Sequence, residues 1–256
     1  VQLSASRIDQ FSACKYAFFL RYGLKSESWK QAKFDAPMFG TFVHYVLEQT
    51  VRDTMAQGGF HTVPEETVME TVDRHIQGYA EAFLPDLAAR GARFSYLFAR
   101  SRREVRDIAA DVARELRRSD FVPADTELEF AAKGALPPVE AAGRLGSSVI
   151  SGFVDRVDLF ETEQAAYYRV VDYKTGSKDF DYASILQGEG LQMLIYLFAL
   201  KKYGPARYGK PLIPAGVLYV PSRSAMERIA PGEDAAQAQA LRQKKTRRKG
   251  LVLADE

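Results

Sequence analysis

The stretch Tyr167–Gly176, YYRVVDYKTG, decides the reading of this chain. β-branched and aromatic residues run into a turn signal, so it reads as a strand that stops near Lys174. Side chains alternate faces along a strand, so Asp172 and Lys174 point the same way. A carboxylate and an ammonium two residues apart on one face can hold a divalent cation and polarise a water beside it. One aspartate is rarely enough for such an ion, and the preceding segment offers another.

That segment is Val149–Phe160, VISGFVDRVDLF, a second strand with two aspartates on opposite faces. Asp155 shares a face with Phe153, Val157 and Leu159, where an unpaired carboxylate is costly, so it needs a metal or a base. Asp158 shares its face with Val154, Arg156 and Phe160, and Arg156 is two residues away, which predicts an ion pair. Asp155 is therefore assigned to the site and Asp158 to structure. The short polar connection ETEQAA predicts an antiparallel hairpin between the two strands.

Working outward, helical patterns fill the first half. Ser6 followed by Asp9 reads as a capping box, with Ile8, Phe11, Phe18, Phe19 and Tyr22 on one stripe. Pro37 opens a helix that buries Phe39, Phe42, Val43, Val46, Leu47 and Val51. Pro64 with its acidic pair starts a third helix. Arg102–Arg118 carries Val105, Ile108, Val112 and Leu116 at helical spacing. Strands at Thr126–Ala131 and Ala215–Val220 and a helix at Glu189–Lys202 surround the two site strands. The expectation is one folding unit over 1–256: a helical region to about 120, a sheet core at about 121–225 and a basic segment at 226–256.

Other residues carry two readings each. His44 sits one turn before Glu48, so both can face one site, although a lone helix histidine is more often packed or exposed. His61 and His75 have no constellation and are expected to be solvated. Gln192 and Tyr196 share a helix face, either an exposed strip or a functional pair, with Leu191, Leu194, Ile195 and Phe198 packing the remainder. Glu127 and Glu129 could supply an outer carboxylate or simply an exposed strand face. The run KKTRRK, including Lys244, Lys245, Arg247 and Arg248, is a solvated face or a phosphate contact. Lys201, Lys202 and Arg207 could extend that surface.

Composition bounds these readings without deciding them. The 256 residues are 46% hydrophobic and 27% charged with net charge +2, ordinary values for a globular chain and compatible with nucleic-acid binding. No run is long enough for a membrane span and no signal-peptide pattern is present, so a cytoplasmic, membrane-free protein is expected. The Val1 start and the charged end LVLADE suggest a piece of a larger polypeptide. Cys14 is the single cysteine, so no intrachain disulfide can form.

Taken in order, G-F-V-D and V-D-Y-K resemble the PD-(D/E)XK nuclease superfamily, and more specifically its RecB-like exonuclease branch. LSASRIDQFSACKYAFFLRYGL resembles the opening of the nuclease domain in AddB subunits of bacterial AddAB helicase–nucleases. FGTFVHYVLE resembles that family's histidine helix, and LQMLIYLFAL its Gln-x-x-x-Tyr helix. Five motifs in order are specific where a lone D-x-K is not.

The resemblance implies an α/β fold, a restriction-endonuclease-like core with a mixed central sheet flanked by helices and a helical N-terminal region. It implies a DNA exonuclease in double-strand break repair by recombination, with an AddA-type partner subunit. His44, Asp155, Asp172 and the Tyr173 carbonyl would hold Mg²⁺ or Mn²⁺. Lys174 would position or deprotonate water, Gln192 would orient Lys174 or a phosphate, and Tyr196 would contact the DNA backbone. Cys14 would be one ligand of a 4Fe–4S cluster whose other cysteines lie outside this sequence; within it, Cys14 reads as a packed helix residue. The alternative is a catalytically silent DNA-binding or scaffold module of the same fold.

Overall fold

A computed structural model describes residues 2–26, 36–84, 91–143, 146–176, 180–222 and 247–253. Strand β1 (Gln2–Ser4) leads into helix α1 (Ala5–Ala13), α2 (Lys15–Phe18) and one π-helical turn (Phe19–Gly23). Three long helices follow: α3 (Ala36–Ala56), α4 (Glu65–Phe83) and α5 (Ala92–Arg118). Then come β2 (Val122–Phe130), β3 (Val139–Gly143), β4 (Gly146–Glu161), β5 (Ala166–Lys174), α6 (Tyr182–Leu186), α7 (Gln192–Tyr208), β6 (Leu212–Pro221) and β7 (Lys249–Val252). Helices come first and a mixed sheet second, the architecture expected of this α/β class.

Local chemistry sets the helix ends. Ser4, not Ser6, caps α1, its hydroxyl accepting from the Arg7 amide at 3.2 Å. Glu65 and Glu66 lie in the first turn of α4, behind Pro64, where the helix dipole favours carboxylates. Gly209 closes α7 in the left-handed conformation at φ 71°, a position that suits glycine.

The sheet runs β1-β4-β5-β6-β7, with β2 and β3 also paired to β4. β4 and β5 are antiparallel, as the short connection predicts, from Glu161↔Ala166 to Arg156↔Val171. β5 and β6 are parallel, which makes the sheet mixed. Alternation along β5 sends its side chains to two cores. Val171 and Tyr173 join Phe42, Val46, Val105 and Val112 of α3 and α5, while Tyr168 and Val170 join Met193, Tyr196 and Leu200 of α7. The sheet is thereby covered on both faces. On β4 the alternation is imperfect: Val157 and Leu159 are buried as expected and Asp155 is half-buried, but Phe153 is exposed and Val154 takes its place in the core.

Several sequence expectations change at this level. His75 is not solvated: its Nε2 lies 2.8 Å from Asp53 Oδ2. On α7 the buried residues are Met193, Tyr196, Ala199, Leu200 and Gly204, and Phe198 is 62% exposed. The Gln192–Tyr196 face is therefore turned inward; of the residues read as packing, Ile195 does pack against this core and Phe198 does not. Cys14 is exposed rather than packed, and its Sγ caps α2 by accepting from the Ala17 amide at 3.4 Å. Lys244 and Lys245 lie outside the described residues.

Candidate metal and nuclease site

The site forms where the β4–β5 ladder stops. The last registered pair is Arg156↔Val171, and beyond it the Tyr173 amide, two residues on, donates to the carboxylate of Asp155, one residue on, at 2.7 Å instead of to a backbone carbonyl. α3 reaches the same point from one face of the sheet. Its His44 Nε2 lies 2.9 Å from the Tyr173 carbonyl oxygen. A carbonyl only accepts, so Nε2 carries the proton and Nδ1 faces the carboxylates. That nitrogen is 3.5 Å from Asp155 Oδ2 and 3.9 Å from Glu127 Oε1.

Glu127 is the residue that sequence reading left undecided. The pairs Thr126↔Arg156 and Leu128↔Val154 place it across from Asp155. Its backbone has φ 48°, a conformation rare for a non-glycine residue and recurrent at ligand clamps. In sequence, Glu127 and Glu129 are equivalent members of one alternation, so only the third dimension separates them. Glu48, expected to face the site with His44, is paired with Arg52 instead.

His44, Glu127 and Asp155 bring one ligand atom each to within 4.8 Å of one another. Asp172 is the near neighbour, held by the opposite layer. Its Oδ1 accepts from Lys174 Nζ at 3.0 Å and from Gln192 Nε2 at 3.3 Å. Its Oδ2 is buried without a hydrogen bond, although Lys174 Nζ is 2.7 Å away. Gln192 closes the triangle, its Oε1 lying 3.5 Å from Lys174 Nζ and its Nε2 donating to the Tyr196 hydroxyl at 3.3 Å.

Tyr196, expected at the DNA backbone, is only 5% exposed. Its ring stacks on Phe130, and its hydroxyl would lie 2.7 Å from any Cβ placed on Gly152, which is why glycine stands there. It supports Gln192 from behind. The basic segment is also engaged where it is described. Arg248 Nε donates to Glu115 at 2.8 Å and its Nη1 pairs with Asp111, so the α5 carboxylates, not solvent, hold this side chain. Arg247 is exposed. Arg207, read as an extension of that surface, is clamped on Asp125 at 2.6 and 2.7 Å.

Electrostatics mark the cluster as under-satisfied. Burial and the nearby Asp172 charge push the Asp155 carboxyl up to about 7, against the pull of His44 and the Tyr173 amide. Burial works against the His44 charge, but Glu127, Asp155, the Tyr173 carbonyl and Asp172 outweigh it and raise the imidazole to about 9. A buried Asp155 carboxyl whose ionisation is resisted, within reach of His44 and Glu127, fits a hard divalent cation. With Nε2 held by the Tyr173 carbonyl, His44 Nδ1 is the atom able to ligate once deprotonated.

A mixed sheet between helical layers, with D-x-K on one strand and a further aspartate on its neighbour, is a nuclease-type fold with a candidate metal site. The chain belongs to the PD-(D/E)XK nuclease superfamily, whose family profile matches residues 2–253. Within that class it is similar to the B subunits of bacterial ATP-dependent helicase/deoxyribonucleases. It is 31% identical over 254 residues to that of Acetivibrio thermocellus, covering 98% of this chain and 22% of the relative. It is 29% identical over 254 residues to that of Ruminiclostridium cellulolyticum, with the same coverage of 98% and 22%. It is 31% identical over 265 residues to that of Thermoanaerobacter sp. strain X514, covering 100% and 22%. The chain thus spans less than a quarter of the length of these relatives. Among the described residues, no helix is long and apolar enough to cross a membrane.

Proposed function

We propose that the chain is a Mg²⁺- or Mn²⁺-dependent deoxyribonuclease domain, acting as an exonuclease within a helicase–nuclease that processes broken DNA ends for recombination. The observation that carries this reading is the convergence of His44, Glu127 and Asp155 beside the Asp172–Lys174–Gln192 triangle. His44, Asp155 and Asp172, with Glu127 added, would hold the ion. Bound there, it would supply Lewis acidity toward a phosphodiester and toward water.

The chain's own groups do the rest. Lys174 Nζ, fixed between Asp172 and Gln192, is placed to orient a water and to offset charge developing on the phosphate. Gln192 gives that ammonium a second, longer contact beside its close pair with Asp172. The Tyr173 peptide, held at both ends by Asp155 and His44, sets the spacing between the two carboxylate strands. A catalytically silent module is disfavoured because both the Asp172–Lys174 pair and the second aspartate are in place.

The similarity to the B subunits of helicase/deoxyribonucleases supports an AddA-type partner, a cytoplasmic setting and single-stranded DNA delivered by a motor. Cys14, exposed on the first helical unit, would be one of four ligands to a 4Fe–4S cluster in a longer protein. The decisive experiment is Mn²⁺-dependent digestion of end-labelled single-stranded DNA by the purified chain, with EDTA and Lys174→Ala as controls. Release of labelled nucleotides by wild type alone supports the reading; digestion at equal rates by Lys174→Ala sinks it.

A further inference from the structure

The N-terminal helical unit carries charge and aromatic surface out of proportion to its length. Arg7, Lys15, Arg21 and Lys25 stand against Asp9 alone, a net charge of +3 in a chain that totals +2. Everything else is therefore slightly acidic. Phe11, Tyr16 and Phe19 in the same unit are 47%, 71% and 52% exposed. Cations are interleaved with rings. Lys15 Nζ lies 5.7 Å from the Phe11 centroid, and the Arg7 and Arg21 guanidiniums lie 4.7 and 5.7 Å from that of Tyr22.

This unit is fastened to the site at two points. β1 pairs with β4 as far as Ser4↔Ser151, immediately before Gly152 and the Tyr196 hydroxyl. The Asp9 carboxylate accepts from the Leu191 amide at 3.2 Å, one residue before Gln192. A ligand lying on the unit is thus adjacent to the strand and helix that carry Asp155 and Gln192. The surface chemistry narrows the ligand. Exposed rings set among cations match nucleic acid whose bases are unpaired, because stacking needs an open base face and the phosphates need charge. Protein-docking faces instead deplete charge at their apolar centre.

We propose that this surface binds single-stranded DNA, with bases stacking on Tyr16 and Phe19 and phosphates meeting Lys15, Arg21 and Lys25, and that it leads the strand to the Asp155–Lys174 site. Only the second half of that statement rests on the nuclease reading.

The test is fluorescence anisotropy of the purified chain with labelled oligo(dT) in EDTA, where nothing is cut, against an abasic oligonucleotide of equal length. Wild type should prefer oligo(dT). Tyr16→Ala combined with Phe19→Ala should abolish the preference and weaken oligo(dT) binding about thirtyfold or more, the scale of two lost base–aromatic stacks. Lys15→Gln combined with Arg21→Gln should lower the slope of log affinity against log salt by about 1.4, two phosphate contacts on a single strand. All four side chains are exposed, so thermal melts of the variants should match wild type. Equal wild-type affinity for the two oligonucleotides, or unchanged binding by the aromatic variant, overturns the proposal. So does failure to bind any oligonucleotide, which would leave a protein segment as the cover of this face. Ring-dependent binding without Mn²⁺-dependent cutting would uphold this surface while removing the nuclease reading. Cutting with ring-independent binding would do the reverse.

Discussion

Asp155 and Asp158 stand three residues apart on β4, and the protein treats them oppositely. Asp158 is fully buried and fully answered: Arg156 donates to both its oxygens at 2.7 and 3.0 Å, and Arg169 Nε adds a third bond at 2.7 Å. The network continues from Arg169 and Arg248 to Glu115, tying β5 and the start of β7 to α5. Asp155 has one backbone amide and a histidine 3.5 Å away, with a second carboxylate close enough to oppose its ionisation. The contrast separates scaffold from chemistry on a single strand. Where charges are matched, the fold is specified; where they are left in excess, there is room for a cation.

The largest expected effect on the functional side comes from Lys174→Ala. Loss of a positioned ammonium should lower DNA cleavage by about 10³-fold or more, on the scale of one electrostatic catalytic group. Melting should change little, because Lys174 is part-exposed and water can take its place beside Asp172. Single-turnover digestion with Mn²⁺ measures the first, and calorimetric melting the second.

On the scaffold side, Asp158→Asn should cost about 3–5 kcal/mol of stability, since it strands the buried Arg156 guanidinium. At a temperature where the variant remains folded, its Mn²⁺ affinity by titration calorimetry should match wild type. A large loss of affinity with little loss of stability would invert the comparison.

Asp155→Asn should do the opposite, removing Mn²⁺ binding while leaving the metal-free fold intact. Its pH signature sharpens the point. The Asp155 carboxyl is raised in the folded state to about 7, so the native protein holds that proton longer than the unfolded chain does. Metal-free stability should therefore decline as pH rises from about 4 to about 7. His44 is raised to about 9, so its contribution is complete below about 6.5 and is lost as pH rises through 9. Mn²⁺ needs the carboxylate ionised and the imidazole neutral, so its stabilising effect should grow across the same range. Melting temperatures in EDTA and in Mn²⁺ should diverge with pH in wild type, and the divergence should vanish in Asp155→Asn.

Tyr196→Phe should have the smallest effect, a loss of a few-fold in cleavage rate. The hydrogen bond that steadies Gln192 disappears together with one to the Phe153 backbone, each worth about 1 kcal/mol. If instead DNA affinity fell with the rate unchanged, Tyr196 would be a DNA contact despite its burial.

Much of this was legible in the sequence because it is local. The D-x-K pattern, the Arg156–Asp158 pair and the hairpin depend on neighbours along one strand or across one turn, where alternation alone assigns faces. What escaped depends on distance in sequence. Glu127 joins His44 through a strand pairing and a left-handed backbone, neither of which composition signals. His75 finds Asp53 on another helix, and Arg248 finds Asp111 and Glu115 on α5. Tyr196 was misplaced because α7 is apolar nearly all round, so periodicity could not say which face the sheet would cover.

The Tyr173 amide has a consequence of its own. Because it donates to a side-chain carboxylate rather than to a strand carbonyl, its proton senses whether Asp155 is charged, protonated or drawn toward a cation. In ¹⁵N-resolved spectra that single resonance should titrate with Asp155 and shift sharply on addition of diamagnetic Mg²⁺. Its deuterium exchange should quicken if the carboxylate turns away. The flanking amides of Val170 and Val171, held inside the regular ladder, should stay still. One backbone proton would then read the state of the whole centre without a label or a substrate.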